Sequence, residues 1–337
     1  MFDAYDRERA VALSAVRTAA ALCQAVQHEL DTGVLEKSDR TPVTVADFGS
    51  QALICRALRD AFPDDPVIAE EDAAPLRAAG NDGILHQVVN RVQTRVPSAD
   101  ADAVCAWIDH GNANTYSDRF WTLDPIDGTK GFVRGDQYAI ALALIEDGRP
   151  RVAALCCPNL PDDVSAEAPE SRGKVFLAVR GEGAAQFSVD ADANTGPVPI
   201  HTSDTQLATD GRFTESYVSA HSSHDLAVEV GHRLGIDTPP LRIDSQAKYA
   251  MVARSDAEIY FRLPRPGTDY VEKIWDHAAG SLVVEAAGGT VTDMHGMALD
   301  WSPAPLLARN EGIVATNGHF HQKVLAALAE QNAEGSS

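Results

Sequence analysis

The sequence predicts a chain of two domains that mixes helices and sheets, with an α+β domain over residues 1–200 and an α/β domain over residues 201–337. Three patterns favour this fold class. A long amphipathic helix opens the chain, hairpin-like strands typical of an antiparallel sheet fill its middle, and strands alternate with helices after residue 200. The polar segment 190–197 is the best candidate for the connection between the domains.

The first elements are predicted from apolar residues at helical spacing. In residues 6–30 such residues recur at steps of three and four, the period of one helix face, and a second helical pattern follows over residues 44–61. Thr44 and Asp47 have the spacing of a capping box, so Asp47 by itself is interpreted as a helix cap. A short buried strand then ends in a run of acids that begins at Glu70.

The middle and the end of the chain carry the remaining elements. Turn sequences separate the strands of the predicted antiparallel sheet, which are residues 138–146, 152–157 and 174–179. The second half predicts strands at 217–220, 241–244, 258–262 and 313–316, and helices at 224–234, around 248, at 276–287 and at 318–330. Because successive strand residues point to opposite faces, Cys156 and Cys157 are expected on opposite faces of the first sheet.

The segment 121–132, Trp-Thr-Leu-Asp-Pro-Ile-Asp-Gly-Thr-Lys-Gly-Phe, predicts chemistry because it is typical of a strand that ends in a polar loop. Pro125 stiffens the turn and has no N–H group. The carboxylates of Asp124 and Asp127 and the carbonyl of Ile126 can therefore converge on one point. Oxygen atoms arranged in this way are the ligands that magnesium prefers.

Gly128 and Thr129 follow the two acids and add the features of an anion site. A glycine lets a phosphate approach the backbone closely, and the two N–H groups can face an anion. The same pattern fits an Asx-type turn between two strands that binds no ligand. Spacing within the segment leaves both interpretations open.

Composition excludes several classes of protein. A formal net charge of -21 argues against a nucleic-acid partner, since phosphate backbones require a cationic face. The five cysteines are odd in number and scattered, which argues against a disulfide framework or a zinc site. The N-terminus is acidic, unlike a targeting peptide, and no long apolar run is evident. We therefore expect a cytoplasmic protein with no membrane partner.

Acidic residues at the ends of distant predicted elements form the candidate metal site. Carboxylates brought together from separate elements can bind hard cations. Two or three magnesium ions bound there would promote the attack of water on a phosphate ester. The acids are Asp47, Glu70, Asp124, Asp127 and Asp276. Spacing alone does not establish that they converge.

These acids, with the Glu70-Glu71 pair and the run Trp-Asp-His-Ala-Ala-Gly at 275–280, resemble the inositol monophosphatase superfamily of magnesium-dependent, lithium-sensitive phosphatases. Further segments resemble its 3′(2′),5′-bisphosphate nucleotidase branch, namely residues 128–139, 221–225, 244–249 and 262–264. The sequence departs from the family at Ala69 and Asp72, where glycine and serine are usual, and in the loop 110–118, which relatives often fill with glycines and basic residues.

The resemblance implies a layered αβαβα sandwich of two domains with the active site between them. It implies that Glu70, Asp124 and the Ile126 carbonyl hold a first magnesium ion, and that Asp124, Asp127 and Asp276 hold a second. A third, weaker ion would lie near Glu70. Asp47 and Thr129 match the pair that orients and deprotonates the attacking water.

The resemblance also implies how the substrate is held. The amides of Gly128 and Thr129 would hold the 3′-phosphate, and the residues around the nucleotide and its 5′-phosphate would be His221, Ser245, Lys248 and Arg262. Without the family context, Lys248 and Arg262 would be interpreted as solvated surface charges.

The implied activity is that of a magnesium-dependent phosphatase in sulfur metabolism. It would remove the 3′-phosphate of adenosine 3′,5′-bisphosphate to give AMP, and the resemblance also admits 3′-phosphoadenosine 5′-phosphosulfate as a substrate. One alternative is an inositol phosphate or polyphosphate phosphatase of the same superfamily. A second is a non-catalytic nucleotide sensor, against which the full set of acids and Thr129 argues. We expect a monomer.

Overall fold

The computed structural model describes residues 2–31, 41–166, 170–190, 196–217, 224–264 and 270–335. The helices are α1 Asp6–Asp31, α2 Thr41–Ala61, α3 Ala74–Arg77, α4 Asp82–Gln93, α5 Ala101–Asp109, α6 Thr129–Arg134, α7 His224–Leu234, α8 Ala247–Ala253, α9 Ala278–Ala286 and α10 His321–Gly335. The strands are β1 Val67–Ala69, β2 Arg119–Asp127, β3 Ala139–Glu146, β4 Arg149–Pro161, β5 Arg172–Val179, β6 Gly183–Ser188, β7 Val198–Ile200, β8 Phe213–Glu215, β9 Leu241–Arg242, β10 Ile259–Arg262, β11 Thr290–Thr292 and β12 Ile313–Thr316.

The strands form two sheets. The first has the order β1-β2-β3-β4-β5-β6-β7, so every strand pairs with its neighbour along the chain. β1 and β2 are parallel and the later pairs are antiparallel, with tight turns joining β3 to β4 and β5 to β6. The second sheet has the order β11-β12-β10-β8-β9 and contains both parallel and antiparallel pairs.

Three apolar clusters place helices and sheets in alternating layers. The first cluster joins α1, α2, α4 and α5 to one face of the first sheet. The second joins the opposite face of that sheet to α8, α9 and the second sheet, and the third joins the outer face of the second sheet to α7 and α10. The predicted αβαβα sandwich is confirmed. Cys156 lies in the first cluster and Cys157 in the second, so the expectation of opposite faces is also confirmed.

The predicted domain boundary at residue 200 falls between the last strand of the first sheet and the first strand of the second. Residues 191–195 of the predicted connection lie outside the described residues, and β7 directly after it still belongs to the first sheet. The helix α9, from the second half of the chain, packs on β4 of the first sheet. The division into two domains stays a prediction.

Helix α1 is more apolar than the composition led us to expect. Helix Asp6–Leu30 is long and apolar enough to cross a membrane by length and composition, since an 18-residue window within it has a mean hydropathy of 1.2. Its apolar face, which includes Val16 and Cys23, is covered by α2 and β4 in the first cluster. We therefore interpret α1 as a core helix of a globular fold.

Some local predictions are wrong. Helix α2 begins at Thr41, with Pro42 in its first turn, where proline is tolerated. Asp47 therefore lies inside the helix and is not its cap. Residues 218–220 of the strand predicted at 217–220 lie outside the described residues, so that prediction is not tested; β8 lies just before it. Asp276 does not open a helix: it ends a 3₁₀ turn over Ile274–Asp276, and α9 follows.

Candidate functional site

A cleft of about 250 Å³ lies where β2 and α6 meet the loop before α8 and the turn before α9. It collects predicted site residues from both halves of the chain, namely Glu70, Asp124, Ile126, Asp127, Gly128, Thr129, Ser245, Lys248, Arg262 and Asp276. Asp47 does not line the cleft, and His221 lies outside the described residues.

A bulge in β2 brings Asp124 and Asp127 to the same side of the first sheet. Asp124 is opposite Ala141 on β3 and Asp127 is opposite Ala139, so β2 uses one more residue than β3 between the two pairs. In a regular strand, residues three apart point to opposite faces, and one extra residue reverses that alternation. Both acids therefore share the sheet face of Ala139 and Ala141, which looks towards α8 and α9.

The turn after Asp127 brings two distant backbones into contact. Gly128 has φ +88°, a left-handed conformation that favours glycine, and a Cβ atom there would lie 2.9 Å from the Cβ of Ser245. Ser245 itself adopts a left-handed φ of 75°, which is uncommon for a residue with a side chain. The next residue, Gln246, donates its backbone N–H to Oδ2 of Asp127. The β2 end and the loop before α8 thus form one wall of the cleft.

The acids in the cleft raise one another's pKa values. Burial, the charge of Glu71 and that of Asp127 raise the pKa of Glu70 to about 7, with Asp124 opposing through a hydrogen bond. Burial and the charge of Asp127 raise the pKa of Asp276 to about 7 against the opposing His277 and Arg262. Asp124 is 2% exposed, and burial together with the other acids raises its pKa well above the usual range.

Asp47 lies behind these acids on α2. It is buried, and its pKa is raised well above the usual range by burial and by the charges of Glu71 and Glu70. Its Oδ1 atom has no hydrogen-bond partner in the described part of the chain. Thr129, its predicted companion, lines the cleft as the first residue of α6.

Two cations, Lys248 and Arg262, line the same cleft as the acids. Lys248 is 5% exposed, and its Nζ donates a hydrogen bond of 2.9 Å to Oγ of Ser216 and lies 5.3 Å from the centre of the Tyr260 ring. Burial lowers the pKa of Lys248 to about 8, although Asp127 opposes this shift. The Nε of Arg262 donates to Oε1 of Glu272 at 2.9 Å. Neither cation is a solvated surface charge.

His277 lines the cleft and Glu272 contacts it and Arg262, and neither was predicted as a site residue. The Oε2 of Glu272 lies 3.0 Å from Nε2 of His277, and Nδ1 of His277 lies 2.8 Å from the hydroxyl of Tyr249. Burial acts to raise the pKa of Glu272, but the hydrogen bond from His277 and the charge of Arg262 outweigh it and lower the pKa to about 2. The signal in the sequence that could have pointed to Glu272 was its position as an acid four residues before Asp276.

The carboxylates of the cleft fit a divalent cation. Their donor atoms are all oxygens, which suits magnesium, and the raised pKa values show that their negative charges are poorly compensated by the protein. The orphaned Oδ1 of buried Asp47 is a further acceptor without a donor. A bound cation would relieve this repulsion. Glu272, Asp276 and His277 also have ligand atoms within 4.8 Å of one another, but the Glu272 carboxylate is already paired with Arg262.

Comparison with known proteins identifies the family. The model described as "Inositol monophosphatase family" matches residues 4–334. The 3′(2′),5′-bisphosphate nucleotidase of Schizosaccharomyces pombe is 42% identical over 341 residues, which cover 96% of each chain. The chain belongs to the inositol monophosphatase family.

Other members of the inositol monophosphatase family agree with this assignment. A 3′(2′),5′-bisphosphate nucleotidase of Oryza sativa is 41% identical over 353 residues, covering 98% of this chain and 97% of the relative. A solved inositol monophosphatase from Zymomonas mobilis has a TM-score of 0.62 at 18% identity and covers 97% of this chain and 100% of its own. That likeness shows the shared fold. The family is generally magnesium-dependent, in keeping with the oxygen donors of the cleft.

Proposed function

We propose that this protein is a magnesium-dependent 3′(2′),5′-bisphosphate nucleotidase that removes the 3′-phosphate of adenosine 3′,5′-bisphosphate and releases AMP and phosphate. The observation that carries the proposal is that one cleft contains both a buried carboxylate cluster and two cations, Lys248 and Arg262. A substrate with two anionic groups can use both. The relatives named as bisphosphate nucleotidases support this substrate class.

The carboxylates have the metal-binding role in this proposal. Glu70, Asp124 and the Ile126 carbonyl would hold one magnesium ion, Asp127 and Asp276 would share a second with Asp124, and a third, weaker ion would lie near Glu70. Bound magnesium supplies positive charge that stabilises the attacking and leaving oxygens of a phosphate ester. The bulge in β2 supports this role, because it places Asp124 and Asp127 on one face.

The loop after β2 would bind the phosphate that is cleaved. The amides of Gly128 and Thr129 lie at the start of α6, where backbone N–H groups can face an anion. Thr129 in the cleft and Asp47 behind it would form the pair that orients and deprotonates the attacking water. The raised pKa of Asp47 suits a general base, since burial makes its carboxylate more basic.

The cations of the cleft and the residues beside them would bind the nucleotide. Lys248 and Arg262 would hold the 5′-phosphate, and Ser245 and His221 would contact the nucleoside. Arg262 cannot lose its proton near neutral pH, and Lys248 remains largely protonated there with a pKa of about 8. The same two cations would hold 3′-phosphoadenosine 5′-phosphosulfate, which we propose as a second substrate within sulfur metabolism. We further propose a cytoplasmic monomer with no nucleic-acid or membrane partner.

The test is phosphate release from a substrate panel with and without magnesium. We expect rapid release from adenosine 3′,5′-bisphosphate, slower release from inositol 1-phosphate and inositol 1,4-bisphosphate, and no release from any of them in excess chelator. Faster turnover of the inositol phosphates would assign the protein to the alternative substrate class. Binding of the nucleotide without release of phosphate from any compound would assign it as a sensor.

A further inference from the structure

Gln246 is a buried amide that contacts three segments of the cleft. It is 2% exposed and lies between Ser245 and the first residue of α8. Its Nε2 donates to the carbonyl of Trp275 at 2.8 Å, and its Oε1 accepts the backbone N–H of Gly280 at 3.1 Å. Both ends of the side-chain amide are therefore hydrogen-bonded to backbone.

The two backbone partners lie on either side of Asp276. Trp275 immediately precedes that acid, and Gly280 is the third residue of α9. The first N–H groups of a helix have no partner within it, and the residue at the N-terminal cap of α9, His277, makes no capping hydrogen bond with its side chain. Gln246 supplies the missing acceptor from a different part of the chain. One side chain thus anchors the Asp276 turn at both ends.

The packing of α8 against α9 leaves little freedom in this anchor. A Cβ atom at Gly280 would lie 2.2 Å from the ring of Tyr249, so only glycine permits the observed approach of the two helices. Tyr249 is itself fully buried, and its hydroxyl lies 2.8 Å from Nδ1 of His277. This packing therefore fixes the position of the start of α9 relative to Gln246.

The backbone of Gln246 adds a link to the other half of the site, because its N–H donates to Oδ2 of Asp127. Gln246 is thus bonded directly to Asp127 and, through Trp275 and Gly280, to the turn that carries Asp276. We propose that Gln246 is a positioning residue that fixes Asp127 and Asp276 relative to each other. This inference rests on the proposed function only in assigning the two acids to a shared magnesium ion.

A positioning role differs from a general role in stability. Groups that orient metal ligands without touching the metal typically contribute about 10- to 100-fold to metal affinity. A buried amide elsewhere in the fold contributes hydrogen bonds without that effect. Asn317 offers the comparison: it is 2% exposed, its Nδ2 donates to Ser203 and Thr205, and it does not line the cleft.

The experiment measures magnesium binding by calorimetry in the absence of substrate. Gln246→Met keeps the length of the side chain and removes both hydrogen bonds, and Asn317→Leu is the matched control. We expect the magnesium Kd of Gln246→Met to rise about 10- to 100-fold. Asn317→Leu should bind magnesium as the wild type does, even where its thermal unfolding midpoint falls further. Gln246→Asn has an amide one methylene shorter, which we expect to reach one of the two backbone partners. Its magnesium Kd should therefore lie between those of the wild type and Gln246→Met.

Several results would overturn the proposal. Equal magnesium Kd values in the wild type and in folded Gln246→Met would overturn it. So would a rise in the magnesium Kd of Asn317→Leu as large as that of Gln246→Met, or an absence of magnesium binding by the wild type. If the variants do not fold, hydrogen exchange of the wild type decides: the Gly280 amide must exchange slowly, and rapid exchange contradicts the anchor. None of these measurements requires nucleotidase activity, so a failure of the proposed substrate is separately visible.

Discussion

Asp124 and Asp127 lie on the same face of β2 although they are three positions apart along the strand. The extra residue between them reverses the alternation of a regular strand and aims both carboxylates at the turn that carries Asp276. Desolvation and mutual repulsion keep the pKa values of Asp124 and Asp276 above their usual range. The ionised forms of these acids are therefore electrostatically unfavourable without a bound cation. A divalent cation would relieve this repulsion.

We expect Asp127→Asn to keep the fold and to lower kcat more than about 100-fold at saturating magnesium, since a direct ligand should contribute more than an outer-shell group. Circular dichroism would verify the fold, and phosphate release from adenosine 3′,5′-bisphosphate would give kcat. Asp64→Asn removes an equal charge at an exposed position outside the cleft and should behave as the wild type. Near-normal kcat in Asp127→Asn would contradict the assigned role.

Local signals explain what could be predicted from the sequence. The helical spacing of apolar residues in α1 and the turn sequences between β3, β4 and β5 are properties of short segments, and the structure contains these elements. The pattern from Asp124 to Thr129 also lies within one segment, so its chemistry was visible without knowledge of the fold.

Long-range placement explains what could not be predicted. The bulge in β2 depends on its pairing with β3, and no local feature marks Gln246 as a partner of Trp275 and Gly280. Glu272 was missed because its significance comes from Arg262 and His277, which different elements bring to it. Side chains that act on other segments are visible only once those segments are placed.

Inhibition by lithium is expected from the family resemblance, with lithium competing for a magnesium position in the cleft. Phosphate release from adenosine 3′,5′-bisphosphate should fall as lithium chloride is added, and sodium chloride at equal ionic strength is the control. Activity that responds equally to the two salts would place this protein outside the lithium-sensitive phosphatases, although it would leave the phosphatase assignment standing.

Stability should depend on pH through His321, which is 3% exposed between two threonines of the second sheet. Oγ1 of Thr292 donates to a carbonyl at 2.8 Å and so accepts from Nε2 of His321, and Nδ1 accepts from Thr316; both distances are 3.0 Å. We assign the neutral Nε2–H tautomer from this network. Burial lowers the pKa of His321 to about 4.

The direction of the pH effect follows from that shift. Because the unfolded histidine titrates near its usual 6.5, the unfolded state binds more protons between pH 6.5 and about 4. The stability that neutral His321 contributes is thus present above pH 6.5 and is lost as the pH falls towards 4. Urea midpoints at pH 7 and pH 5 should differ more in the wild type than in His321→Gln. His86→Gln, at an exposed histidine, should match the wild type, and equal pH dependence in all three proteins would refute the prediction.

The identity of the substrate can be tested through Lys248, which we place against the 5′-phosphate and away from the phosphate that is cleaved. A hydrogen bond to a charged group is worth about 1.5–3 kcal/mol, so Lys248→Met should lower kcat/KM for adenosine 3′,5′-bisphosphate by about 10- to 150-fold. Methionine retains most of the buried length, which limits the cavity left among Ser216 and Tyr260. Lys323→Met, at an exposed lysine of α10, is the control and should have no effect.

A second substrate separates a contact with the 5′-phosphate from a general loss of activity. Adenosine 3′-monophosphate lacks that phosphate, so it should be a poor substrate whose kcat/KM is nearly equal in the wild type and in Lys248→Met. The quantity that decides is the coupling between the two deletions, one in the protein and one in the substrate. An equal loss of kcat/KM on both substrates would mean that Lys248 acts on the phosphate that is cleaved or stabilises the fold. No loss on either would mean that the buried ammonium of Lys248 takes no part in recognition, and the 5′-phosphate would then have to be bound by Arg262 without it.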